Sequence, residues 1–177
     1  MRMRAMGPGS ISSVLKTLLD GVYFLVWGGV VGAGALSLLA LLLSFNPALM
    51  GRLAGNDAAL EVVMRGPVLA GGLAVAGLSL VGVLVIVDRL RRIFETLRAG
   101  DPFHPDNILR LRVVGLTLAG LELVRYFVWA LGSRLPGVEK VEPRVSLTAW
   151  FSVLVVFVLA EVFREGARLR RESELTI

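Results

Sequence analysis

Residues 66–87 read GPVLAGGLAVAGLSLVGVLVIV and contain no charged side chain. A membrane-spanning helix needs about 20 apolar residues, so this stretch is long enough to cross a bilayer. Three further stretches are similarly long and apolar, at about residues 21–45, 113–131 and 145–163, although the last two contain ionisable residues. Pro67 is expected in the first turn of its helix, where no backbone donor is needed. The sequence therefore predicts an all-α polytopic membrane protein with four transmembrane helices in a bundle.

The composition of the chain agrees with this fold class and excludes much enzyme chemistry. The 177 residues are 55% hydrophobic, and the mean hydropathy of +0.75 is too high for an ordinary soluble domain. The absence of Cys and the presence of a single His exclude thiol nucleophiles, disulfides, and thiolate or paired-imidazole metal sites. We therefore expect a protein that is not an enzyme and that has no catalytic, cofactor-binding or metal-binding residues.

The distribution of Lys and Arg predicts the orientation. Thirteen of them fall in the N-terminal tail, the segment between spans two and three, and the C-terminal tail, whereas the two remaining loops carry five. Cytoplasmic loops are enriched in Lys and Arg, so both termini are expected in the cytoplasm. The same rule explains the net charge of +5, so this charge does not require that the protein bind nucleic acid directly. The expected plan is a cytoplasmic tail over residues 1–19, a single membrane domain over residues 20–177, and a cytoplasmic helix over residues 164–177 that ends this domain.

Small residues recur four apart in three of the spans. Such steps let helix backbones approach each other, which favours packing within the chain, and contacts in a homo-oligomer are the alternative. The pairs are Gly28 and Gly32, Gly72 and Ala76, and Gly115 and Ala119.

Residues 88–112, between spans two and three, form a segment that we call the corner. Its apolar residues recur at helical spacing, so span two is expected to continue into the cytoplasm as an amphipathic helix. Gly100 is expected to end this helix, because glycine readily adopts the left-handed conformation found at helix ends. Pro105 is expected to open the next helix, with His104 as its cap and Asp106 in its first turn.

A resemblance to a known family rests on two motifs. The first is the run RLRRIFETLRAGDPF at residues 89–103, followed by Pro105, Asn107 and Leu111-Arg112. The second is EVFREG at residues 161–166, followed by Leu169, Arg170, Glu172 and the closing ELTI. Together they resemble the domain of unknown function 2975 family, although His104 stands where a small polar cap such as Ser is more usual. The resemblance implies a four-helix prokaryotic inner-membrane protein without established catalytic residues, whose gene often lies beside that of a small helix-turn-helix regulator.

Two ionisable residues lie within the third span. Glu122 and Arg125 are three residues apart, so they share a helix face and can pair. Charged residues at membrane depth are costly and normally face the bundle interior. They are interpreted either as a structural ion pair or as part of a polar route, although a route needs more polar groups than these spans offer. Glu161 is expected near the interface and joins this polar cluster only if the geometry allows.

The corner is the expected working surface, because apolar residues outside the membrane must pack against something. We expect a membrane-bound regulator that contacts the lipid bilayer and docks a soluble cytoplasmic partner, such as the helix-turn-helix regulator that the resemblance suggests. A small transporter or channel-like protein is the alternative function. An equally open reading is that the corner packs against the C-terminal helix or lies on lipid headgroups. The expected docking residues are Leu90, Arg91, Arg92, Phe94, Leu97, Arg98, Phe103, Leu175 and Ile177.

Overall fold

A computed structural model describes residues 11–46, 56–134 and 145–174. The described residues form four α-helices and contain no β-strand. This confirms the predicted all-α architecture. The helices are α1 (Ile11–Ser44), α2 (Asn56–Arg98), α3 (Pro105–Gly132) and α4 (Leu147–Glu174).

Each helix contains a stretch that is long and apolar enough to cross a membrane. These stretches are Thr17–Ser44, Gly66–Arg98, Pro105–Gly132 and Leu147–Ser173. Large apolar side chains point outward on all four helices, as Phe24, Leu69, Leu116 and Phe151 do. Such a surface is unfavourable in water, but it suits hydrocarbon, where a helix satisfies its backbone hydrogen bonds internally. The fold is that of a multi-pass membrane protein in contact with the lipid bilayer.

The expected position of Pro67 in the first turn of its helix is wrong. Helix α2 begins at Asn56, so Pro67 lies inside the helix, where it removes one intrahelical hydrogen bond. At the preceding Gly66, an added Cβ would lie 1.8 Å from the Ser44 Oγ atom. The Ser44 hydroxyl donates to the Ala40 carbonyl oxygen at 2.6 Å. The glycine at this position thus allows α1 and α2 to approach closely.

The chain divides into two compact units. We call residues 24–84 the hairpin unit, and residues 1–23 with 85–177 the corner unit. In the hairpin unit the Ser37 hydroxyl on α1 donates to the Ala70 carbonyl oxygen on α2 at 2.9 Å. An added Cβ at Gly29 would meet the Leu80 side chain at 3.1 Å, and one at Gly77 would meet Ala33 at 3.5 Å. Close helix contacts therefore occur at Gly29 and Gly77.

These contacts differ from the small-residue steps in the sequence. At Gly28, Gly32 and Gly72 an added Cβ would meet no atom of the described residues within 4 Å. The expectation of packing within the chain fails for these three glycines, because the helix register places neighbouring residues in contact instead. The step at Gly115 does pack within the chain, since an added Cβ there would lie 3.0 Å from the Phe157 ring.

In the corner unit α3 packs against α4. A buried core joins Ile93 of α2, Leu111 of α3 and Ala160 of α4, and Phe163 packs against it. Because the Ala160 side chain is small, the larger side chains of Ile93 and Leu111 can pack against α4 at this point. Three helices are thereby joined at the end of the unit that carries the corner.

The end of α2 follows the prediction. Gly100 has φ +80, a left-handed conformation that favours glycine. The backbone N–H of Gly100 donates to the Leu97 carbonyl oxygen at 3.1 Å, and that of Asp101 donates to the Thr96 carbonyl oxygen at 3.0 Å. These bonds satisfy carbonyl groups that a helix end otherwise leaves without partners.

The start of α3 is also confirmed. The helix begins at Pro105, and His104 is its cap, with a side chain that accepts from the Asp106 backbone N–H. Asp106 lies in the first turn, where its negative charge interacts favourably with the positive end of the helix dipole. The tight turn between α2 and α3 thus follows from local chemistry.

Candidate functional site

The positions of charged residues along α3 indicate how far into the membrane Glu122 lies. Arg112 on α3 and Arg134, just beyond the Ser133 cap of this helix, are 22 residues apart, which is about 33 Å at helical rise and close to the thickness of the hydrocarbon core. Glu122 is ten residues from Arg112, about 15 Å along the helix. Glu122 therefore lies near the middle of the span, whereas the corner lies at one end of it.

The Glu122 carboxylate is the centre of a hydrogen-bonded cluster. Glu122 is only 8% exposed, and its Oε1 atom accepts from Arg125 Nη2 at 2.5 Å and from the Tyr126 hydroxyl at 2.9 Å. The Trp150 indole Nε1 on α4 donates to the same Tyr126 hydroxyl at 3.1 Å. The structure thus brings Glu122 and Arg125 together, and two aromatic residues connect them to the next helix.

The charges of this cluster compensate each other. A lone carboxylate at this depth would be costly, and the adjacent guanidinium neutralises it. The Arg125 side chain is half exposed, and its guanidinium carbon lies 5.4 Å from the centre of the Tyr126 ring, within cation–π range. A carboxylate on one turn, with a guanidinium and an aromatic ring on the next, forms a compact site without net charge.

Glu161 is not brought into this cluster. It lies eleven residues beyond Trp150 on α4, about 16 Å further along the helix axis. Its carboxylate pairs with Arg164 on the same helix, and both side chains are more than half exposed. Sequence reasoning did not assign Tyr126 and Trp150 to the cluster. The four-residue spacing of Glu122 and Tyr126 was a usable signal for the first of them.

Two of the expected docking arginines make contacts within the corner unit. Arg91 lies 2.7 Å from Asp20 Oδ1, and its guanidinium is 4.6 Å from the centre of the Tyr23 ring. Arg92 pairs with Asp88 at 3.1 Å. Arg91 therefore joins α2 to α1, which limits its availability to a partner, whereas the Arg92 pair lies within α2 and leaves that side chain 54% exposed.

Phe103 packs against α4. Its ring centre lies 5.8 Å from that of Phe163, and an added Cβ on Gly166 would come within 2.5 Å of the Phe103 ring. The glycine provides the space that the ring occupies. The Asp101 carboxylate, two residues earlier, accepts from Arg170 Nη1 at 2.5 Å. One apolar and one charged contact thus attach the turn after α2 to the end of α4.

The remaining docking residues differ in exposure. Leu90 and Phe94 are half-buried, Leu97 is 41% exposed, and Arg98 is exposed. The apolar stripe of α2 therefore opens to solvent towards the end of the helix. Leu175 and Ile177 lie outside the described residues.

A buried asparagine connects the helices of the corner. Asn107 is fully buried, and its amide nitrogen donates to Thr96 Oγ1 at 2.7 Å and to the Pro102 carbonyl oxygen at 3.1 Å. Its amide oxygen accepts from Arg110 Nη1 at 2.9 Å, and the same nitrogen of Arg110 donates to the Arg92 carbonyl oxygen. Asn107 therefore connects α2, the turn and α3.

Sequence reasoning missed the role of Asn107. Asn107 and Thr96 appeared only among the residues that carry the family resemblance. A usable signal was present, because Asn107 precedes Leu111 and Val114 at helical spacing and so lies on the packed face of α3.

As for metals, the described parts of the chain contain no cluster of three His, Asp or Glu side chains that could hold an ion.

The apolar spans, the polar cluster at mid-span and the helical corner define a multi-pass α-helical membrane protein. The chain belongs to the family described as Protein of unknown function (DUF2975), whose profile matches residues 49–177. The resemblance recognised in the corner and the C-terminal motif is thereby confirmed. Comparisons with curated proteins and with solved structures gave no match.

Proposed function

We propose that the protein is a non-enzymatic regulator of the inner (cytoplasmic) membrane. Both termini and the corner lie in the cytoplasm, and the corner docks a soluble partner. One observation carries this proposal: Leu97 and Arg98 are exposed at the end of α2, on a corner that Asn107 holds together through three hydrogen bonds. An exposed surface on a well-ordered support binds a partner at a low ordering cost.

The distance from the membrane favours a soluble partner over lipid headgroups. Arg98 is ten residues beyond Asp88, the first charged residue after the apolar stretch of α2, which corresponds to about 15 Å along the helix. The headgroup layer is only about 5 to 7 Å thick on each side of the bilayer. The exposed end of α2 therefore projects beyond this layer and is accessible from the aqueous phase.

The chemistry of the surface indicates the kind of partner. An apolar stripe with arginine at its open end suits an amphipathic helix that has acidic residues beside its apolar face. A helix-turn-helix regulator held at the membrane in this way would be kept from DNA. This chain itself would then make no contact with nucleic acid.

A transport role has less support. The hydroxyls of Ser79, Thr117 and Ser152 each donate to a carbonyl of their own helix, so these protons are already bonded. The groove of about 330 Å³ in the hairpin unit is mostly apolar, and its Ser37 is bonded to a backbone carbonyl. Glu122 already accepts from two donors.

The test is a binding measurement with the full-length protein in lipid nanodiscs. The ligand is a purified, fluorescently labelled helix-turn-helix regulator of the kind that the family resemblance implies. We expect Leu97→Glu and Arg98→Glu each to weaken binding at least about tenfold, as changes at the centre of an interface do. Arg134→Glu, at the opposite end of α3, is the matched charge control and should leave binding unchanged.

Two outcomes would contradict the proposal in different ways. Equal binding by both corner variants and the wild type would exclude the end of α2 as the docking surface. A wild-type protein that does not bind the regulator at all would exclude this class of partner.

A further inference from the structure

His104, the single histidine of the chain, caps α3 with its side chain. Its Nδ1 atom accepts a hydrogen bond from the Asp106 backbone N–H at 3.2 Å. Neutral imidazole has one nitrogen that can accept, whereas both nitrogens of imidazolium are donors. The hydrogen bond that caps α3 therefore exists only in the neutral state, with the proton on Nε2.

The charged groups around His104 come from three parts of the corner unit. On α3 itself, Asp106 Oδ2 lies 3.7 Å from His104 Nδ1, and Arg110 Nη2 lies 3.7 Å from the same oxygen. In the turn, the Asp101 carbonyl oxygen accepts from the His104 backbone N–H at 3.4 Å. The Asp101 carboxylate is bound by Arg170 of α4. The Asp106 and Asp101 carboxylates thus each have an arginine beside them.

Protonation of His104 has two unfavourable effects at the start of α3. It places an N–H group against the Asp106 N–H group, and it adds a positive charge at the positive end of the helix dipole. An ion pair with Asp106 opposes these effects. That carboxylate is 64% exposed and is shared with Arg110, so the compensation is small.

We propose that His104 is a pH-sensitive cap of α3. The neutral imidazole closes the first turn of the helix, and this contribution is lost when the imidazole is protonated at lower pH. His104 is three residues before Asn107, which connects α2 to α3, so the change acts at the joint of the corner. This inference goes beyond the docking proposal and does not depend on any partner.

The test is amide hydrogen exchange by NMR on the full-length protein in nanodiscs at pH 8 and pH 5. The Ala99 amide is an internal reference, because it donates to the Glu95 backbone carbonyl oxygen at 3.0 Å at the end of α2, outside the first turn of α3. After correction for intrinsic exchange rates, the protection of the Asp106 amide relative to that of Ala99 should fall about fivefold at pH 5, the size of one helix cap.

Three variants distinguish the effect of the imidazole from that of the neighbouring carboxylate. Asparagine presents a side-chain oxygen at every pH, so His104→Asn should keep the protection ratio within about twofold between the two pH values. His104→Ala should give the low ratio at both. Asp106→Asn removes the compensating carboxylate and should enlarge the change.

Three results would overturn the proposal. The first is a wild-type ratio that changes by less than about twofold. The second is a His104→Asn protein that retains the full pH dependence. The third is loss of the pH dependence in Asp106→Asn, because this would assign the effect to the carboxylate.

Discussion

Replacement of Asn107 by alanine should strongly destabilise the corner unit. The change removes three hydrogen bonds at once, those to Thr96, to the Pro102 carbonyl oxygen and to Arg110. Two of these partners keep another hydrogen bond. The Thr96 hydroxyl still donates to the Ile93 carbonyl oxygen, and the Arg110 guanidinium still donates to the Arg92 carbonyl oxygen on α2. The Pro102 carbonyl oxygen loses its bond to the amide.

The magnitude follows from these contacts. An intramolecular hydrogen bond contributes about 0.5 to 1.5 kcal/mol net, and stranding a buried polar group costs about 1 to 3 kcal/mol. With one group losing its bond and two keeping a second, we expect a loss of about 2 to 4 kcal/mol in the free energy of unfolding. For a chain of this length that corresponds to about 4 to 16 °C in Tm.

Thermal unfolding in detergent is the measurement, with Thr117→Val as the matched control. The Thr117 hydroxyl bonds only to the Val113 carbonyl oxygen of its own helix, so its removal should change Tm by less than about 3 °C. A shift for Asn107→Ala no larger than that of the control would refute the conclusion that the buried amide holds the corner together.

Three further predictions concern the polar cluster, the turn and the topology. Glu122→Gln and Arg125→Ala should each cost about 1 to 3 kcal/mol in detergent stability, and the double variant should cost less than their sum; additive losses would argue against a direct pair. Gly166→Ala should displace the Phe103 ring and lower the stability by about 1 to 3 kcal/mol, so an unchanged Tm would contradict the close contact. A reporter fused after Gly137 should be active outside the cytoplasm and one at the C-terminus inside, whereas a cytoplasmic signal at Gly137 would reject the orientation.

Local sequence determined the membrane-spanning character and the shape of the turn. A run of about 20 apolar residues needs no partner to make a helix favourable in lipid, because the helix satisfies its own backbone. The end of α2 at Gly100 and the start of α3 at Pro105 likewise depend on residues a few positions apart. A local rule failed at Pro67, since the helical pattern around a proline does not reveal how far upstream the helix begins.

The tertiary structure alone decided which polar side chains of different helices meet. The bond between Tyr126 and Trp150 depends on the register of α3 against α4, and so does the separation of Glu161 from the Glu122 cluster. The close contact of Phe103 with Gly166 likewise arises between residues 63 positions apart in the chain. Helix periodicity specifies the face on which a residue lies, but the axial offset between two helices is set by how all their side chains pack together. No short stretch of the sequence contains that information.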